Sequence, residues 1–178
     1  MSVFDTMFKS APLIVQTKLN ELKSLRERPD YHPEPSTYHH IKIVVDRLAQ
    51  TKDIDLIMAG MLHDICKLDC ARLNPKTGYP SSPGHDTAAY QFITQTPEVI
   101  DWIRANGADD VKVAAICLNH MKIHMINEMR PAKRDSYIQK WKDMGIWDKL
   151  RVHDAADNML SDFNYEMYCG GGSLNSQG

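Results

Sequence analysis

Nowhere in the 178 residues does an apolar run approach the roughly 20 that a membrane span needs, and the first residues lack a secretory pattern. No membrane association is expected, and the expected location is the cytoplasm. Cysteine is scarce: Cys66, Cys70, Cys117 and Cys169 sit mostly inside helical patterns and form no paired framework, which favours a reducing cytosol. A strong excess of one charge is also missing. A formal net charge of −2 argues against a protein that coats nucleic acid. No stretch competes strongly as a β-strand, and no internal repeat is visible. What remains is 43% hydrophobic and 25% charged, ordinary for a soluble globular protein and long enough for one domain with a real core.

The pattern is helical nearly throughout. A first helix is expected over 11–28, stopped by Pro29, followed by an ordered loop at YHPEPSTY. Ser36 or Thr37 can cap a helix through Gln50, whose apolar face is Ile41, Val44, Val45 and Leu48. Asp53 can cap the next, which carries Ile54, Ile57, Met58, Met61, Leu62 and Ile65. After the loop LNPKTGYPSSPG, helices are expected at about 86–95, 97–106, from Asp109 or Asp110 to Met125, at 134–144 and at 147–165. The tail GGGSLNSQG has nothing to pack and is expected to be mobile.

Eight histidines stand out less for their number than for their places. His39 and His40 begin a helix, the doublet His63-Asp64 ends one, and His85 opens another. His120 and His124 share a helix face at i,i+4, and Asp154 and Asp157 share one at i,i+3. Each alone reads as a cap or a solvated side chain. Together they form a pattern: early His, His-Asp, distal His, late Asp. Between Lys122 and Arg151 eight Lys/Arg face four acids, either a solvated helical face or a patch turned toward phosphate.

These residues resemble the HD-domain metal-dependent phosphohydrolases, most closely the HD domain attached to bacterial tRNA nucleotidyltransferases and related RNA end-processing enzymes. YHPEPSTYHHIKIVVDRLA is similar to that domain's opening, GMLHDICKLD to its His-Asp-Ile-Gly-Lys segment, and GHDTAAYQFI to the Gly-His helix after it. LNHMKIH and WDKLRVHDAADNM resemble the distal His segment and the final Asp helix, so the likeness spans about 31–160. Register selects His40 over His39, eight residues after the loop histidine. For the last ligand, LRVHD favours Asp154, and the ADN at 156–158 keeps Asp157 as a rival. Cys66 stands where the family commonly has Gly, and Pro35-Ser36 replaces Gly-Asp. No Gly-Ser followed by paired catalytic carboxylates is found, so nucleotide addition is not expected of this chain.

The resemblance implies a single all-α HD-domain helical bundle: an N-terminal helix over 1–30, the HD domain over 31–168 and the tail over 169–178. It implies one or two divalent metals per chain. His40, His63, Asp64 and Asp154 would hold the first, and Asp64, His85 and His120 the second, with His124 as a further ligand or proton donor. Imidazole-rich ligation suits Mn, Fe, Co, Ni or Zn better than Mg. Paired ions would clamp a phosphate and activate water. Lys67, Arg130 and Lys133 are candidates for phosphate contacts. The implied activity is hydrolysis of a phosphomonoester or phosphodiester of a nucleotide or RNA end, of the 2′,3′-cyclic phosphodiesterase, 2′-nucleotidase or phosphatase type. Rival readings are a dNTP or nucleoside-monophosphate hydrolase and a non-catalytic nucleotide-binding module.

Overall fold

The computed structural model describes residues 1–166; the tail over 169–178 lies outside them. It bears out the all-α expectation. Among the described residues the one sheet is a two-strand ladder, β1 (Arg72–Leu73) paired antiparallel with β2 (Pro80–Ser81). No described helix is long and apolar enough to cross a membrane.

The N-terminus departs from the expected single helix. Ser2 and Asp5 form a reciprocal capping box that starts α1 (Val3–Ser10), and Pro12 separates it from α2 (Leu13–Glu21). A 3-10 turn at Leu22–Ser24 then ends the helical run short of Pro29. The Phe4 amide donates to Asp46 on α3 (Thr37–Leu48), which fastens this segment to the bundle.

Two helices occupy the middle. The first, α4 (Ile54–Leu62), is capped by Asp53 and buried along its whole length from Leu56 to Leu62. The second, α8 (Asp110–His124), is capped by Asp109 and buries Val113 to Cys117, Asn119, His120 and Ile123. A helix buried all round needs neighbours on every side. Here α4 packs on α3 and α8, while α8 also meets α6 (His85–Gln95) and α10 (Trp147–Asp157). Gly60 lets α3 and α4 come close: a Cβ there would lie 3.0 Å from Leu48 Cδ1 and 3.2 Å from Val45 Cγ2. Around this core lie α7 (Pro97–Ala105) and α9 (Pro131–Asp143). The last helix stops at Asp157 rather than running to Tyr165, because Asn158 is extended and side chains from 158–161 satisfy the next turns.

The break after α4 redirects two adjacent polar residues. The helix ends at Leu62, residues 63–66 turn, and the chain resumes as α5 (Lys67–Cys70). Adjacent side chains diverge on a continuous helix. Here His63 and Asp64 leave the helix instead, and both reach one centre.

Candidate metal centre

Five elements deliver the side chains. From α3 comes His40, fully buried, while its neighbour His39 is exposed and lies 2.7 Å from Ser36 Oγ. The turn after α4 brings His63 and Asp64, both buried. His85 opens α6, His120 sits on α8, and Asp157 ends α10, again buried.

Each imidazole is oriented from behind. The Nδ1–H groups donate to oxygens: His40 to Glu34 at 2.8 Å, His63 to the Gly60 carbonyl at 2.8 Å, His85 to Ser82 at 2.8 Å, and His120 to Cys117 at 2.6 Å. That orients each ring and turns all four Nε2 atoms inward, the arrangement expected of metal-ligating histidines. The ladder β1–β2 shapes the loop that presents Ser82, whose hydroxyl also donates to the Lys67 carbonyl at 2.8 Å.

Asp64 stands between two histidine pairs. Its Oδ2 lies 3.1 Å from His63 Nε2 and 3.4 Å from His40 Nε2. Its Oδ1 lies 3.2 Å from His85 Nε2 and 3.4 Å from His120 Nε2. Asp157 closes the first pair, with Oδ1 2.6 Å from His40 and 3.2 Å from His63. His40, His63, Asp64 and Asp157 thus offer ligand atoms within 4.8 Å of one another, and so do Asp64, His85 and His120.

The electrostatics call for positive charge at this centre. Burial works against charge on His63, yet Asp64 and Asp157 beside it push its pKa up to about 10. Burial likewise opposes charge on His40, but its hydrogen bonds to Asp157 and Glu34 push it up to about 9. Burial would raise Asp64, but His63 and Lys67 outweigh it and hold the carboxyl well below its usual range. On the other side His85 and His120 bring their Nε2 atoms 3.1 Å apart. With both Nδ1 atoms donating elsewhere, two Nε2 atoms and a carboxylate oxygen converge, a donor set that could hold a metal ion. Four imidazoles and two carboxylates fit a divalent transition metal.

The remaining candidates fall into different places. Asp157, not Asp154, joins His40 and His63. Asp154 lies nearly one turn earlier on α10, is 36% exposed, and hydrogen-bonds His124 Nδ1. His124 also meets the outer oxygen of Asp157 at 2.8 Å, so it sits at the rim and does not face Asp64. Lys67 is buried between Glu27 Oε1 at 2.7 Å and Asp64 Oδ2 at 3.3 Å.

The cluster floors a cavity of about 1240 Å³. Its cationic lining comes from Arg28, Lys67, Arg134 and Arg151, whereas Arg130 and Lys133 are exposed. The start of α9 at Pro131 explains this: Arg134 and Ile138, four residues apart, share the face that lines the cavity. Beyond them Trp147 adds an aromatic wall, with the Arg151 guanidinium 5.4 Å from its ring centroid.

Sequence reasoning missed several residues. Glu34 Oε1 accepts from both His32 and His40; its place two residues after His32 in the His-Pro-Glu loop was the available signal. Glu27 carries no motif. His153 is fully buried, with neither ring nitrogen hydrogen-bonded among the described residues and its ring edge-on to His63 at 4.8 Å. Burial there holds its pKa well below the ordinary value.

Comparison with known proteins gives a partial match. The chain is 28% identical over 119 residues to a multifunctional CCA protein of Xylella fastidiosa (strain 9a5c), covering 65% of this chain and 27% of that protein. It is 24% identical over 148 residues to a multifunctional CCA protein of Vibrio cholerae serotype O1 (strain ATCC 39541 / Classical Ogawa 395 / O395), covering 83% of this chain and 34% of that protein. The chain therefore spans about a third or less of the length of these relatives. No family model and no solved structure matches it. The similarity is consistent with a link to the HD domain.

Proposed function

We propose that this chain is an HD-type metal-dependent phosphohydrolase acting on a phosphomonoester or phosphodiester of a nucleotide or RNA end. The observation that supports this best is Asp64, whose two oxygens each face a separate pair of histidines on a cavity floor. His40, His63, Asp64 and Asp157 would hold one divalent ion; Asp64, His85 and His120 would hold another. When bound, such ions supply Lewis acidity to a phosphate group and a nucleophile from water at neutral pH.

The chain's own residues do the rest. Lys67, wedged against Asp64 yet lining the cavity, presents an ammonium to a phosphate oxygen. His124, between Asp154 and Asp157, is placed at the rim to hold a proton for the leaving oxygen. Arg134 and Arg151 offer guanidinium groups to further phosphates, and Trp147 offers an aromatic surface to a base. In this reading residues 31–168 form the HD unit and 1–30 pack on it. The partial likeness to CCA proteins favours a nucleotide or RNA end over other phosphoesters.

The test is a phosphoester panel (2′,3′-cyclic nucleotides, 2′-nucleotides, dNTPs, an RNA 3′ end) under Mn, Co, Ni, Zn and Mg. Hydrolysis of a cyclic or terminal phosphoester is expected, and Asp64→Ala should lower it about a thousandfold or more without unfolding the chain. Metal-independent hydrolysis, or an Asp64→Ala variant keeping a tenth of the activity, would refute the reading.

A further inference from the structure

We propose that Glu27 is a positioning residue of this centre: its carboxylate draws the Lys67 ammonium toward itself and so leaves Asp64 free for a cation. The inference rests on reading the His/Asp cluster as a metal site. Lys67 is 7% exposed, so water does little to satisfy its charge. It lies 2.7 Å from Glu27 Oε1 and 3.3 Å from Asp64 Oδ2, the oxygen that also faces His63 and His40.

An ammonium so close competes with any cation for that oxygen, and its position decides how strongly. The second Glu27 oxygen is itself held, accepting from Thr37 Oγ1 at 3.0 Å. Thr37 is fully buried and its amide donates to the Leu25 carbonyl at 2.9 Å, so the Glu27 carboxylate is braced from behind while its other oxygen holds Lys67. Glu27 lies forty residues before Lys67 and precedes the stretch over 31–160 that carries the family likeness. The N-terminal segment thereby reaches into the centre and is more than packing. Without the Glu27 charge, Lys67 has Asp64 as its nearest anion and closes onto it.

The experiment is calorimetric titration of Mn²⁺ into the metal-free full chain, with circular dichroism melts as a check on folding. Wild type is compared with Glu27→Gln, Lys67→Met and the double variant. Glu27→Gln should weaken Mn²⁺ binding about tenfold, the scale on which one charge a few ångströms away shifts an equilibrium. The double variant should return to within about twofold of Lys67→Met, because Glu27 acts through the ammonium. A purely structural role predicts no such rescue. If Glu27→Gln does not fold, Glu27→Asp takes its place: it keeps the charge but holds it one methylene further from Lys67, so a smaller weakening of Mn²⁺ binding is expected, again lost when Lys67→Met is added. Glu27→Gln that binds as tightly as wild type, or a double variant as weak as Glu27→Gln, would overturn the proposal. Wild type that takes up no Mn²⁺ would instead overturn the metal reading, and this proposal with it.

Discussion

At the scale of single residues, the two acids of α10 separate two roles that sequence spacing leaves equivalent. Asp157 is buried against His40 and His63, with burial opposed by His63 and by its hydrogen bonds to His124 and His40, which hold its carboxyl well below the usual range. Asp154 touches His124 at the rim. Removing a ligand should cost far more than removing the partner of a rim histidine. Asp157→Asn is therefore expected to lose one Mn²⁺ site and to lower hydrolysis more than a hundredfold, whereas Asp154→Asn should stay within about tenfold. Metal stoichiometry and initial rates on the two variants check this, and equal losses would contradict it. The same scale explains why His40 and not its neighbour belongs to the centre. Ser36 caps α3, so the helical register turns His40 inward and leaves His39 beside the cap.

Among the elements, the segment from β1 to α6 shows how local backbone geometry serves the centre. Gly84 precedes α6 with φ +79°, a conformation that costs an L residue about 1–2 kcal/mol. Nothing lies within 4 Å of a Cβ built there, so the cost of a substitution is conformational, with no clash. Gly84→Ala is expected to destabilise by about 1–2 kcal/mol. It should also weaken the Asp64, His85 and His120 site more than the other, because His85 is the next residue. Urea unfolding and Mn²⁺ titration measure both effects; an unchanged midpoint would show that the turn relaxes freely. The His63-Asp64 turn is the counterpart on the other side: a helix that stops at Leu62 lets two adjacent residues converge.

For the whole molecule, the centre lies where α3, α4, α8 and α10 meet, with the N-terminal segment and the loop after α5 closing over it. Ions bound at that junction would link the helices, so binding should stabilise the fold. With free Mn²⁺ a hundredfold above its dissociation constant, each site adds about 2.7 kcal/mol. For a chain of this size that corresponds to roughly 5–10 °C in Tm per site. Two ions per chain are expected by elemental analysis, with a Tm gain that EDTA reverses and that Asp64→Ala abolishes. Saturation at one ion, or a Tm indifferent to metal, would limit the centre to a single site or none.

Much of this was determined by the sequence alone. Helical periodicity, the caps at Ser36, Asp53 and Asp109, and the Gly and Pro stops made the all-α bundle legible, because these signals act within a few residues. The histidines and the His-Asp doublet were legible as candidates because a metal needs those residue types and they recur at element ends. Other features were decided only by the tertiary structure. The choice of Asp157 over Asp154 depends on how α10 is rotated against α3 and α4, which spacing along one helix does not specify. Arg134 and Arg151 line the cavity while Arg130 and Lys133 face outward for the same reason. The contact of Glu27 with Lys67, and the burial of His153 against His63, join residues forty and ninety positions apart. No local rule relates such pairs; packing brings them together.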